Sequence, residues 1–322
     1  MSGPLRWGVI GTGAIAAAWV EDMGVTDSGS VVAVGSRKLE TAERFADRWG
    51  IANRHPSYEA LVADPEVDAV YVATPHPLHS PCAQLALRAG KPALVEKPFT
   101  VTAAEAEELV AVARAEGLLL MEAMWTRWLP HIVELRRLLA EGALGKISTL
   151  SADHGQWFAP DRDFRRFARE LDSGALLDLG VYPVSFASMV LGTPERIVSL
   201  TTPAPGGGDE ITSMVFGYEG GAQALLNCSI AGKSPTRGAI VGSDARIEID
   251  GDFYRPSSFS LISRDGAETR FEMPHEGWGL RHQADEFARC LSEGLLESPV
   301  MPLDESIAIM RTMDAVRAQG ER

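Results

Sequence analysis

The sequence predicts an α/β protein of two domains, a doubly wound parallel-sheet domain followed by an α/β domain with a large, mostly antiparallel sheet. Three observations lead there. The first third alternates short β-branched runs with longer amphipathic ones, the rhythm of a parallel sheet covered by helices. The run Gly11-Thr12-Gly13-Ala14-Ile15-Ala16 stands where the first strand gives way to the first helix. Beyond Glu122 the rhythm changes to short strands in succession, which points to antiparallel pairing.

In order, strands are expected at residues 5–10, 30–35, 69–73, 93–96 and 118–121, with helices at 14–23, 39–49, 78–89 and 103–116 between them. Gly90 and Gly117 punctuate two helix ends, where a left-handed residue is needed. A helix at 130–141 opens the second part, and strands follow at 147–154, 197–202, 211–217, 222–230, 238–241, 246–250, 259–263 and 269–273. Glu219-Gly220 reads as a two-residue turn between two of them. Residues 203–208, Pro-Ala-Pro-Gly-Gly-Gly, read as a surface loop, and helices at 281–293 and 304–319 close the chain. A chain of 322 residues suits two cores, and the boundary is placed near Ala123, giving domains 1–122 and 123–322.

Composition narrows the partners. The formal net charge is −14 and no run of Lys and Arg appears, which argues against nucleic acid and for a small solute. No apolar run is long enough to span a bilayer, and the first residues lack the features of a signal peptide. Cys82, Cys228 and Cys290 are few, odd in number and scattered, which fits a reducing cytoplasm and neither a disulfide framework nor a metal site.

The Gly-x-Gly-x-x-Ala run has the context that makes it a dinucleotide fingerprint. Gly11 permits the turn, Gly13 lets a pyrophosphate approach backbone N–H groups at the helix start, and Ala16 lets helix and strand pack closely. Thr12, Ala14 and Ile15 complete the cradle. A tight turn with no ligand is the alternative. The second strand ends in Ser36-Arg37-Lys38 with no acid at its tip, so a 2′-phosphate is favoured over a free ribose hydroxyl, and NADP over NAD. A solvated basic turn is the competing account.

A proton-handling set lies elsewhere. Lys97, in Glu96-Lys97-Pro98, follows a strand at the sheet edge where doubly wound folds bind ligands, and its bond to Pro98 can be cis or trans. Asp178 and Tyr182 are four apart in a helical-looking run, so one face presents both. An acid inside that apolar run is costly to bury without a partner, which raises the odds of a functional role.

Together these motifs, with Thr74-Pro75 and His79, resemble the glucose-fructose oxidoreductase, inositol dehydrogenase and MocA-type family over nearly the whole chain. The resemblance implies a Rossmann domain, a second domain whose sheet leaves one face open, and a nicotinamide cofactor between them. Four local matches resemble the branch of dimeric dihydrodiol dehydrogenases and NADP-dependent D-xylose 1-dehydrogenases. They are Pro75-His76-Pro77-Leu78-His79, Met121-Glu122-Ala123-Met124-Trp125-Thr126-Arg127, the run from Asp178 to Tyr182, and Glu297-Ser298-Pro299-Val300-Met301-Pro302-Leu303. Many relatives carry His where Tyr182 stands here.

By position the resemblance implies Tyr182 as acid/base on the substrate hydroxyl, Lys97 favouring its phenolate, and Asp178 orienting Lys97 or substrate. Thr74, Pro75, His79 and Glu96 would join the cofactor site; His76, Trp125, Arg127, His154 and Arg165 would line the substrate pocket. His154 replaces an aromatic, apolar residue of the dihydrodiol dehydrogenases, which favours a polar substrate. The expected activity is NADP-dependent oxidation of a sugar at its anomeric hydroxyl, or of a related polyol or diol. A reductase of a nucleotide-linked keto sugar is the second reading, and a non-catalytic NADP-sensing regulator a third. The open sheet face implies a homodimer, or a tetramer built from it.

Overall fold

The computed structural model describes residues 3–159 and 174–320, and the chain divides into two compact units. The first comprises residues 1–128 and 276–307, the second 129–275 and 308–322. The chain therefore crosses between units three times, where the sequence suggested one crossing near residue 122. The segment 276–307 joins the first unit because its apolar face packs there: Phe287 lies 4.9 Å from Trp7, ring to ring.

In the first unit, strands β1 (Leu5–Ile10), β2 (Gly29–Gly35), β3 (Asn53–His55), β4 (Ala69–Val72), β5 (Ala93–Glu96) and β6 (Leu120–Ala123) form a parallel sheet in the order β3-β2-β1-β4-β5-β6. Helices α1 (Ala14–Asp22), α2 (Leu39–Trp49), α3 (Tyr58–Val62), α4 (His79–Arg88) and α5 (Ala103–Glu116) connect them, and α8 (Arg281–Ser292) belongs to the same unit. Strand order reverses between β1 and β4, which opens a crevice at the carboxyl ends of the strands. Strand β3 and helix α3 escape a sequence reading because Asn53-Arg54-His55 is polar and only three residues long. Ser57 starts α3 by accepting a hydrogen bond from the Ala60 N–H at 3.2 Å. The core is aromatic: Trp19 stacks on Tyr71 at 4.2 Å and meets Trp7 edge-on at 5.3 Å, and each such pair adds about 0.5–1.5 kcal/mol beyond area burial.

In the second unit, β7 (Ile147–Gly155), β8 (Arg196–Pro203), β9 (Asp209–Gly217), β10 (Gln223–Ser229), β11 (Gly238–Gly242), β12 (Ala245–Ile249), β13 (Phe259–Ser263) and β14 (Glu268–Phe271) make one sheet in the order β14-β13-β12-β11-β7-β10-β9-β8. Only β10 with β7 is parallel; every other pair is antiparallel. The turn between β9 and β10 holds three residues, Glu219–Gly221, and not two, closed by Tyr218 N–H to Ala222 O at 3.0 Å. Two successive glycines with positive φ make the wider turn possible.

Strand alternation sorts this sheet into two faces. Met214, Phe216, Ala224, Leu226, Ile240 and Ile247 are buried, whereas Val198 (60% exposed), Leu200 (76%), Val215 and Leu225 face outward. Helices α6 (Pro130–Ala140) and α7 (Val181–Leu191) and residues 308–320 of α9 (Leu303–Gly320) complete the unit. The Gln319 side chain accepts from the Ser199 N–H and donates to the Ile197 carbonyl, so α9 closes hydrogen bonds of the edge strand β8.

Candidate functional site

The first unit places its candidate groups at the carboxyl ends of β1, β2, β4 and β5. Gly11 has φ +111, and a Cβ there would collide with the Ala73 carbonyl, so the turn admits only glycine. Gly13 is the N-cap of α1, and a Cβ on it would meet no protein atom. Helix α1 has no side-chain cap and no acid in its first turn, which leaves its amides and positive dipole end available to an anion. Ala16, fully buried, sits where helix and strand meet. These features fit a dinucleotide pyrophosphate. Past β2, Ser36 is half-buried, Arg37 and Lys38 are exposed, and no acid stands among them. Arg37 also lies close enough to the Tyr58 phenol to offset part of the rise that burial imposes on it.

Thr74, Pro75, His76 and His79 follow β4, and His79 ties that loop to the one after β5. Its Nδ1 lies 2.8 Å from the Pro98 carbonyl and its Nε2 2.9 Å from the Thr74 carbonyl. Burial, with His76 next in effect, pushes this imidazole down to about 3. Two carbonyls suit an imidazolium, yet the cost of burying charge prevails, so the neutral ring donates to one carbonyl and only abuts the other. The result is a fixed loop pair in which Lys97 sits half-buried, with a cis bond to Pro98. Glu96 is turned inward: it accepts from Tyr71 Oη at 2.6 Å and from the Lys97 N–H at 3.1 Å.

Trp125 and Arg127 lie in a 3₁₀ turn, Trp125–Trp128, and both are buried. Arg127 is ion-paired with Glu305 at 2.7 Å, so its charge has a partner within its own unit. Nearby in sequence, Glu122 is 1% exposed, and burial pushes its carboxyl up to about 7. Ser306 and Arg127 ease that cost, although among the described residues no hydrogen bond of good geometry reaches either carboxylate oxygen. An acid of this kind has no signature in sequence beyond its apolar neighbours.

In the second unit, the four-residue spacing of Asp178 and Tyr182 does not lie in one α-helix. Asp178 belongs to a π-helical turn, Leu176–Gly180, and Tyr182 to the first turn of α7. Asp209 anchors that turn, accepting from the Leu176 N–H at 2.7 Å and from Thr212 Oγ1 at 3.1 Å. Gly180 lets it lie on β10, since a Cβ there would approach Cys228 Sγ to 2.9 Å. A π turn widens the helix where side chains must be re-aimed, and such turns are frequent at functional sites.

Tyr182 is almost fully buried among aromatic rings. The His154 ring centroid lies 5.1 Å away and that of Tyr254 4.7 Å, while His154 and Tyr254 stack on each other at 4.2 Å. The structure brings His154 to Tyr182, and adds Tyr254 and Gln156. Sequence gives neither away: Tyr254 lies in an irregular segment, and Gln156 is a lone amide past the end of β7. Arg165 lies outside the described residues.

The first part of the chain, residues 5–124, matches the sequence profile described as "Oxidoreductase family, NAD-binding Rossmann fold", and residues 132–251 match "GFO/IDH/MocA C-terminal domain". Among curated proteins, the chain is 34% identical over 328 residues to trans-1,2-dihydrobenzene-1,2-diol dehydrogenase of Xenopus tropicalis, covering 98% of this chain and 97% of the relative. The enzyme of the same name from Mus musculus is 35% identical, covering 97% and 96%. Among solved structures, a 3-ketoreductase from Actinomadura kijaniata in complex with NADP and TDP-benzene is 30% identical with a TM-score of 0.86, covering 98% of each chain. An aldose-aldose oxidoreductase from Caulobacter crescentus, 24% identical with a TM-score of 0.90 and covering 99% and 98%, shares the fold.

Proposed function

The chain belongs to the GFO/IDH/MocA family of oxidoreductases, and from that premise we propose that it oxidises a hydroxyl-rich small molecule, an aldose at C1 or a related polyol or diol, with NADP as hydride acceptor. Tyr182 carries this reading. It is a phenol held in a buried aromatic cluster at the start of a helix, beside the polar groups of His154, Gln156 and Tyr254. Burial of so many polar atoms beside an acid/base candidate suits a substrate that offers hydroxyls in return.

The bound nicotinamide supplies the hydride acceptor. Tyr182, as phenolate, removes the proton of the substrate hydroxyl, and Lys97 stabilises the phenolate charge. Asp178 orients Lys97 or the substrate. The Gly11-to-Gly13 turn and the α1 amides hold the pyrophosphate, and Ser36 with Arg37 and Lys38 takes the 2′-phosphate. An aldose hemiacetal oxidised in this way leaves as a lactone. His76 and Trp125 are proposed to line the substrate pocket with His154.

Kinship with dihydrodiol dehydrogenases favours the diol end of this range, and His154 with Gln156 favours the sugar end. The solved 3-ketoreductase favours a second reading, reduction of a nucleotide-linked keto sugar. That reading needs a diphosphate anchor from Arg127, Arg165 and Arg166; Glu305 already holds Arg127, and the other two lie outside the described residues. The deciding experiment is NADPH formation measured across aldoses, inositols and dihydrodiols, with NAD as control cofactor and a nucleotide-linked keto sugar tested in reverse. Turnover of free sugars or diols with NADP upholds the first reading. Turnover confined to the nucleotide sugar replaces it with the second.

For the outward face of the eight-stranded sheet we propose a homodimer contact, supported by the exposed Val198, Leu200, Val215 and Leu225.

A further inference from the structure

Gln156 sits beside the Tyr182 cluster and spends its amide on it. One Gln156 Nε2 donates to His154 Nε2 at 2.9 Å and to Tyr254 Oη at 3.2 Å. A primary amide has two N–H donors, so a single side chain straddles the stacked pair and uses both protons on it. Gln156 is itself fixed, since its backbone N–H donates to the Ser229 carbonyl at 2.9 Å.

The segment carrying Tyr254 is held just as firmly. His131 Nε2 lies 3.0 Å from the Phe253 carbonyl, and burial pushes that imidazole down to about 4, so the neutral ring donates there. The Phe253 N–H donates to the Thr236 carbonyl at 3.0 Å, and its ring packs 5.4 Å from Phe186 of α7. The Phe253 ring thereby ties the segment carrying Tyr254 to the helix that carries Tyr182. The His154–Tyr254 pair, inclined 28° to each other, presents two ring surfaces to the phenol, at 59° and 46°.

We propose that Gln156 is a positioning residue for Tyr182: by donating one amide proton to His154 and the other to Tyr254, it locks the stack that sets the plane of the phenol. This rests on the reading of Tyr182 as acid/base. It carries a consequence independent of turnover, because an amide N–H aimed at His154 Nε2 requires a lone pair there and leaves the ring's proton on Nδ1. Gln156 thus selects a tautomer as well as a ring position.

The test uses the full chain with nitrogen-15 in its histidines, the His154 resonances being identified by their loss in His154→Phe. In the unsubstituted protein Nε2 is expected at the chemical shift of an unprotonated nitrogen and Nδ1 at that of a protonated one. Gln156→Leu, which keeps bulk but removes both donors, is expected to abolish that tautomer preference. It is also expected to lower kcat for the best sugar or diol by about tenfold to a hundredfold, the usual cost of a misplaced reacting group, with NADP affinity unchanged. A protonated His154 Nε2 in the unsubstituted protein overturns the proposal without any variant being made. Unchanged kcat in Gln156→Leu, with the tautomer preference lost, overturns the positioning role. Absence of turnover by the unsubstituted protein on every substrate fells the functional reading, and the nitrogen shifts still decide whether Gln156 makes the bond.

Discussion

Glu122 and Arg37 show how single residues report on the first unit. Burial lifts the Glu122 carboxyl from 4.5 to about 7, so the folded chain binds this proton more tightly than the unfolded chain does. Its contribution to stability is therefore complete below pH about 4.5 and is lost as pH rises to about 7, at a cost on the order of 3 kcal/mol. Glu122→Gln, which imitates the protonated acid, should match the unsubstituted protein in melting temperature near pH 4 and exceed it by several degrees at pH 8. Equal melting curves at both values would show that the carboxyl is not forced neutral. At Arg37, removal of a charge-assisted bond to a 2′-phosphate should weaken NADP by about tenfold to a hundredfold and leave NAD almost untouched. Fluorescence titration of Arg37→Ala with both cofactors checks this. Lys97, Asp178 and Tyr182 were readable in the sequence as candidates because chemistry-bearing residues stand at strand exits or in apolar runs. Tyr254, Gln156 and Glu122 were not, since nothing local to them differs from ordinary packing.

At the level of elements, the π turn before α7 depends on a contact spanning 33 residues of sequence, Asp209 to Leu176. Asp209→Ala would leave the Leu176 N–H without its acceptor, which costs about 1–3 kcal/mol where the group is buried. The variant should melt earlier and lose turnover, because Asp178 lies inside the released turn and Tyr182 just beyond it. Circular dichroism melts paired with kcat check both effects; a lower melting point with full kcat would separate the turn from the chemistry. Most elements could be read from alternation and from glycine stops, with α2 and α5 at the expected bounds. The π turn could not, because Leu-Leu-Asp-Leu-Gly fits an α-helix equally well and only the tertiary anchor distinguishes the two. The same holds for α8: its sequence predicts a helix and says nothing of the unit it joins.

For the whole molecule, the exposed sheet face makes a prediction about assembly. Leu200→Glu with Val215→Glu would set charges on two outward-facing apolar positions, and sedimentation velocity should then show monomer where the unsubstituted chain shows dimer. A monomer in both cases would remove the dimer from the account. The central claim is that one tyrosine moves the proton while NADP takes the hydride, and single-turnover formation of NADPH at saturating cofactor and substrate tests it most directly. Tyr182→Phe should bind NADP as before and form NADPH at least about a hundredfold more slowly, with Lys97→Met impaired in the same step. Full-rate NADPH formation by Tyr182→Phe would contradict it.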